Sequence, residues 1–146
     1  MLSESLKVLL ANSYAFTIKA QQFHWNVEGP DFPQYHKFFG KIYEEVYDSI
    51  DRTAEYIRTL DSYTPGSIER FSELSQIKGQ IKIPRAELML AELESDNKIM
   101  LECLNHCMGF AKQENAFGIE NYIAERIDAH NKHGWMLRAT LKKERA

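Results

Sequence analysis

The chain has 146 residues, of which 44% are hydrophobic and 27% charged, and its net charge is -3 at pH 7. This length suits one domain with its own core and is short for two, and the composition excludes a disordered chain. The acidic balance gives no sign of nucleic-acid binding, and no apolar run approaches the roughly 20 residues that span a membrane. We therefore predict a single globular domain, residues 1–146, with no membrane partner.

The N-terminal segment and the cysteines both indicate the cytoplasm. The first residues lack the basic head and the long apolar stretch of a signal peptide. Cys103 and Cys107 lie four positions apart in a helical pattern, which predicts reduced, buried thiols and no disulfide framework. We therefore expect a cytoplasmic protein.

Apolar residues recur at helical spacing in the first part of the chain. A first helix is predicted from about Ser3 to Val27, where the breaker Gly29-Pro30-Asp31 follows. A second helix begins at Asp31 or Phe32 and runs to about Leu60. Because the break between them is short, the two helices are expected to run antiparallel.

The second half of the chain repeats this arrangement after a long connection. Asp61 to Ile83 is loop-rich, with a possible short helix from Ile68 to Leu74. Pro84 is predicted to open a third helix, and a break near Gln113 to Gly118 precedes a fourth. A long connection between the second and third of four helices is typical of ferritin-like bundles. The predicted fold is therefore all-α: a ferritin-like four-helix bundle with a short extra helix in the connection.

Two histidines lie on either side of the first turn. His24 is near the end of the first helix, and His36 is near the start of the second. On antiparallel helices these positions are at matched heights, so the two side chains can meet. Imidazole binds iron, zinc and copper well. The alternative interpretation is that each histidine is an ordinary capping or core residue.

Further along the second helix, Asp51 and Glu55 form an i, i+4 pair, so both carboxylates project from one face. Hard oxygen ligands of this kind suit Fe(II) and Mn(II). The alternative is a solvated acidic edge, since other acidic residues share this stretch: Glu44, Glu45 and Asp48.

The spacing of these two pairs decides how they could work together. A helix rises about 1.5 Å per residue, so His36 and Asp51 are roughly 22 Å apart on one helix. Metal bonds to nitrogen or oxygen are only about 2.0 to 2.6 Å long. One copy therefore cannot bring both pairs to one ion, whereas two copies packed antiparallel across a two-fold axis can.

These residues also form a recognisable pattern. The stretches FHWNVEGPDFPQYHKFF and DSIDRTAEYI closely resemble the Dps family of mini-ferritins. The family pattern is His-Trp-Asn-Val-x-Gly, a second histidine twelve residues after the first, and then Asp-x-x-Ala-Glu. The matching residues are His24, Trp25, Asn26, Val27, Gly29, His36, Asp51, Ala54 and Glu55.

The resemblance implies an assembly and a reaction. Dps proteins are shells of twelve copies that oxidise iron(II) between two-fold-related subunits, often with hydrogen peroxide and otherwise with dioxygen. They store the ferric product in the cavity. By this resemblance the metal ligands are His24, His36, Asp51 and Glu55. The fifth predicted catalytic residue is Trp25, which matches a tryptophan proposed to absorb reactive oxygen intermediates, or is an ordinary interface aromatic.

The chain departs from the family pattern at one position. Family members usually have aspartate one turn after the second histidine, where this chain has Gly40. Glycine supplies no ligand, so iron binding is expected to be weaker, and Gly40→Asp is expected to strengthen it. The chain also has no Glu-x-x-His pair, which argues against the site that ordinary ferritins carry inside each bundle.

Two further clusters could bind a metal, and both are interpreted as structural. His130 and His133 form an i, i+3 pair that favours packing and capping in the last helix. Cys103, His106 and Cys107 have no evident fourth ligand.

Two other functions remain open besides iron oxidation. A nucleoid protein would need basic surface, and the modest C-terminal cluster is better explained as favourable charge at a helix end, so we lean against DNA binding. That cluster consists of Arg138, Lys142, Lys143 and Arg145. A shell whose metal site has been lost is the other alternative.

Overall fold

The computed structural model describes residues 1–145, and Ala146, the last residue of the predicted domain, lies outside them. Within the described residues there are five helices and no strand. Their bounds are α1 Leu2–Asn26, α2 Phe32–Thr59, α3 Ile68–Leu74, α4 Ala86–Gln113 and α5 Phe117–Leu141. The predicted all-α fold is confirmed, including the short helix in the long connection.

The turn between α1 and α2 follows directly from its residues. Val27 has an extended backbone, and Gly29 has a φ of 119°, in the region that favours glycine. Asp31 is the N-cap of α2, and Pro33 lies in the first turn, where the missing N–H of proline costs no helical hydrogen bond. The chain therefore reverses sharply, and α2 returns along α1.

The third long helix begins later than predicted. Pro84 precedes it, Arg85 is an N-cap with an extended backbone, and Ala86 is the first helical residue. Proline fixes φ at a value that the extended segment before a helix accepts as readily as the first turn. The proline therefore marks the start of α4 only to within two residues.

The core lies between the four long helices. α1 packs against α2, α3 and α4, and α4 packs against α5. Each long helix contributes large apolar side chains that are almost fully buried, each worth about 1.5–3 kcal/mol by transfer from water. They include Leu6, Phe16, Phe23, Phe39, Ile57, Leu93, Leu104, Ile123 and Leu137. No helix among residues 1–145 is both long enough and apolar enough to cross a bilayer.

Candidate metal centre

The turn between α1 and α2 brings the two predicted histidines into contact. His24 lies in the last turn of α1 and His36 near the start of α2, and both side chains are half-buried. Their rings stack with centroids 3.8 Å apart and planes 15° apart. The matched heights expected from sequence are therefore found, and the side chains form a pair.

Hydrogen bonds fix the orientation of both rings. Nδ1 of His24 lies 2.6 Å from the carbonyl oxygen of His36, and Nδ1 of His36 lies 2.6 Å from that of His24. A carbonyl oxygen can only accept, so each Nδ1 carries a proton. In a neutral ring this leaves Nε2 with a free lone pair. Metal-binding histidines are commonly held in this way, with one nitrogen bonded to a carbonyl or carboxylate.

Aromatic side chains surround the pair, and the sequence analysis missed two that contact the histidine rings. Phe32 stacks on His36 with centroids 5.1 Å apart, and Tyr43 meets His24 edge-on at 5.3 Å. Phe32 lies one turn before His36, so helical spacing alone contained that signal. Trp25, which follows His24, is 64% exposed. Its indole is therefore an exposed aromatic surface on the residue next to His24.

The two predicted carboxylates lie elsewhere on the same helix. Asp51 and Glu55 are exposed, and α2 is unbroken from Phe32 to Thr59. The separation of roughly 22 Å from helix rise therefore applies. Among residues 1–145, no three or more His, Cys, Asp or Glu side chains are placed to hold one metal ion. Within one chain, the predicted nitrogen ligands and the predicted oxygen ligands therefore lie apart along the bundle, and each pair is a candidate half-site.

Comparison with known proteins assigns the chain to a family. The sequence model of the ferritin-like domain family matches residues 3–146. A low-temperature-induced protein of Nostoc sp. is 31% identical over 135 residues, and the match covers 91% of this chain and 75% of the Nostoc protein. The DNA protection during starvation protein 2 of Bacillus anthracis is 31% identical over 129 residues, covering 88% of each chain. The crystal structure of the Dps protein of Vibrio cholerae O1 superposes with a TM-score of 0.93 at 28% identity, covering 97% of this chain and 89% of that one.

The chain belongs to the Dps family of ferritin-like proteins. The Vibrio protein is described as a member of a broad superfamily of ferritin-like diiron-carboxylate proteins. The predicted family and fold are therefore confirmed.

Gly40, the departure from the Dps pattern, lies directly against the histidine pair. A Cβ atom at this position would be 3.0 Å from Nδ1 and 3.1 Å from Cε1 of His24. Ordinary carbon contacts are about 3.5 Å or longer. A side chain at this position would therefore require the His24 ring to move by a few tenths of an ångström, a constraint that ligand spacing alone does not show.

The second histidine pair of this Dps chain belongs to a polar network that joins α2, α4 and α5. Arg126 donates two hydrogen bonds to the carboxylate of Glu45, and Nε2 of His133 donates to the same group over 2.8 Å. Arg126 also donates to Nε2 of His130 over 3.2 Å, while Nδ1 of His130 donates to Asn97 Oδ1 over 2.8 Å. Both ring nitrogens of His130 are thus hydrogen-bonded within the protein. This favours the structural interpretation of the pair over a metal site.

The network also sets the charge of its members. Burial would raise the pKa of Glu45, but the hydrogen bonds and positive charge of His133 and Arg126 hold that pKa well below its usual range. Burial, together with the nearby Arg126 guanidinium, lowers the pKa of His130. Glu45 is therefore an anion and His130 a neutral ring at pH 7.

The cysteine cluster is part of the hydrophobic core. Cys103 and Cys107 are free thiols, and both are buried among the apolar side chains of the bundle. His106 is exposed and packs edge-on against Phe110. The predicted core role is therefore confirmed for the two cysteines and is wrong for His106, because position 106 lies on the solvent-facing side of α4.

Proposed function

We propose that this Dps chain oxidises Fe(II) at sites shared between two copies and stores the ferric product inside a closed shell of such chains. The observation that carries the proposal is the division of the ligands along α2. His24 and His36 present oriented lone pairs at one end, and Asp51 and Glu55 lie exposed toward the other. A partner chain running antiparallel would place its carboxylates beside the histidines, and the two-fold axis would create two equal sites.

The combined ligand set suits the chemistry. Neutral imidazoles accept Fe(II), and hard carboxylate oxygens favour the more highly charged Fe(III) that forms. Hydrogen peroxide takes one electron from each of two Fe(II) ions and two protons, giving two Fe(III) and two waters. This two-electron route avoids releasing a hydroxyl radical. The exposed indole of Trp25 is a candidate sink for oxidising intermediates that escape.

Iron oxidation should therefore depend on the protein and on peroxide. With about two Fe(II) added per chain without oxygen, added peroxide should oxidise the iron faster than in a protein-free control, with less hydroxyl radical in a spin-trapping assay. Stopped-flow absorbance follows the reaction. Asp51→Asn should lose the acceleration, whereas Asp48→Asn, a neighbouring exposed carboxylate on α2, should keep it. Equal rates with and without the protein would support the lost-site alternative.

A shared site also requires assembly. Large apolar side chains are exposed on the single chain, as expected for surfaces that partners cover. Examples are Ile18 at 61%, Tyr63 at 84% and Ile81 at 95% exposure. Twelve chains of 17.0 kDa give a shell of roughly 200 kDa. Light scattering at micromolar concentration should show a species of about this mass, and a stable monomer would contradict the proposal.

The proposed location is the cytoplasm. The free thiols Cys103 and Cys107 are compatible with a reducing compartment, where such pairs stay unlinked.

A further inference from the structure

We propose that Gly40 is a positioning residue of the histidine pair, whose missing side chain allows His24 to lie against α2 with both ring-to-carbonyl hydrogen bonds formed. The aspartate of the family pattern would supply a ligand from this position. In this chain position 40 supplies no ligand, and the room it leaves allows the His24 imidazole to be held in one orientation. The consequence for metal binding rests on the proposed function, whereas the steric claim concerns the protein alone.

The steric argument comes from the contacts of the His24 ring. The atom closest to a Cβ at position 40 is Nδ1, at 3.0 Å, which is also the atom bonded to the carbonyl oxygen of His36. Moving the ring away from α2 would lengthen that bond. His36 stacks on His24 at 3.8 Å, and Tyr43 meets it edge-on at 5.3 Å, so the ring has little room to turn. A Cβ at position 40 would therefore displace the His24 ring by a few tenths of an ångström, and the displaced atoms include the one whose hydrogen bond orients the ring.

The backbone of α2 gives no other reason for glycine at this position. Gly40 is buried in the helix interior, and it is not among the residues with positive φ. Glycine in a helix interior is unfavourable relative to alanine. Local helix formation thus argues against glycine here, and contact with His24 is the interaction that explains it.

The same residue changes what one chain offers to a metal ion. With no carboxylate at position 40, this half-site consists of two neutral nitrogen ligands, His24 and His36. Completed by a partner's two carboxylates, it has two nitrogen and two oxygen ligands. Four ligands of this kind are enough for one divalent ion. We therefore expect one tightly bound ion per chain, with the second Fe(II) that the peroxide reaction consumes bound more weakly.

The test compares Gly40→Ala with wild type and with a matched control. Gly109→Ala changes another helical glycine, on α4, whose Cβ would meet nothing within 4 Å. Crystal structures of the metal-free shells show the His24 position. Anaerobic titration with Co(II), followed by calorimetry and visible absorption, gives affinity and stoichiometry.

In Gly40→Ala we expect the His24-to-His36 hydrogen bond to lengthen and Co(II) affinity to fall about 10-fold, the lower end of the range for disturbing a group that orients a metal ligand. Gly109→Ala should change neither. An undisturbed His24 in Gly40→Ala, or a displaced His24 with unchanged affinity, would overturn the proposal. Failure of wild type to bind Co(II) would instead count against the proposed function, and the metal-free crystal structures would still decide the role of Gly40.

The variant Gly40→Asp distinguishes the effect of displacing His24 from the effect of adding a carboxylate ligand. It adds a carboxylate and the same Cβ, so it should bind Co(II) more tightly than Gly40→Ala but no more tightly than wild type. This differs from the expectation based on ligand spacing alone, in which the added aspartate strengthens binding. Affinity above wild type with His24 unmoved would show that the glycine serves no positioning role.

Discussion

Shells made only of His36→Ala chains, or only of Glu55→Ala chains, are expected to be inactive in Fe(II) oxidation, and a mixed shell of both should recover roughly a quarter of the wild-type rate. In the His36→Ala shell every site lacks a histidine. In the Glu55→Ala shell every site lacks a carboxylate.

The recovery follows from the symmetry of the interface. Where the two variants meet, one site receives both defects. The other receives intact histidines from the Glu55→Ala chain and intact carboxylates from the His36→Ala chain. Random pairing makes about half of the interfaces mixed, with one of two sites restored in each. Stopped-flow measurement of Fe(II) oxidation at matched chain concentration checks the fraction.

A second mixture provides the control. His24→Ala and His36→Ala remove ligands from the same half-site, so every histidine pair in their mixed shell remains defective. This mixture should stay inactive. A site built within one chain predicts no recovery in either mixture, so failure of the first mixture, with mixed assembly verified by mass spectrometry, would refute the shared site.

Arg126→Met should lower the free energy of unfolding by about 3 kcal/mol at pH 7, near the lower end of the range for breaking a buried ion pair. The Arg126 side chain is 10% exposed and Glu45 is 38% exposed, so solvent screens part of the interaction. The variant also removes the donor to Nε2 of His130. Thermal or denaturant unfolding at fixed protein concentration measures the loss.

The effect should depend on pH in one direction. The pKa of Glu45 is lower in the folded protein than its ordinary value of 4.5, so its contribution is fully present above about that pH. It is lost as the pH falls toward the folded-state pKa. The difference between wild type and Arg126→Met should therefore shrink below about pH 4.5.

The matched control is an arginine in a surface ion pair. Arg85→Met breaks the ion pair with Glu87, and the side chains of both residues are 66% exposed. Such pairs contribute about 0–1 kcal/mol. A cost as large as that of Arg126→Met, or a difference that grows as the pH falls, would contradict the assigned role of the network.

The sequence by itself determined those features that depend on local periodicity and on fixed helix dimensions. Apolar spacing and the Gly29-Pro30 break defined the helices, because both act over a few neighbouring residues. Helix rise alone separated His36 from Asp51, so a metal site that used both would need a second copy. The start of α4 after Pro84 was misplaced by two residues, because proline is compatible with either side of a helix start.

The tertiary structure decided how side chains from distant positions meet. The sequence showed Gly40 only as a departure from the family's ligand pattern, and the packing of α1 on α2 revealed that the His24 ring lies directly against it. Spacing left His130 and His133 as possible ligands until Arg126, Glu45 and Asn97 were found hydrogen-bonded to three of their four ring nitrogens. Ring orientation and hydrogen-bond partners depend on contacts between helices far apart in the chain, which no local pattern encodes.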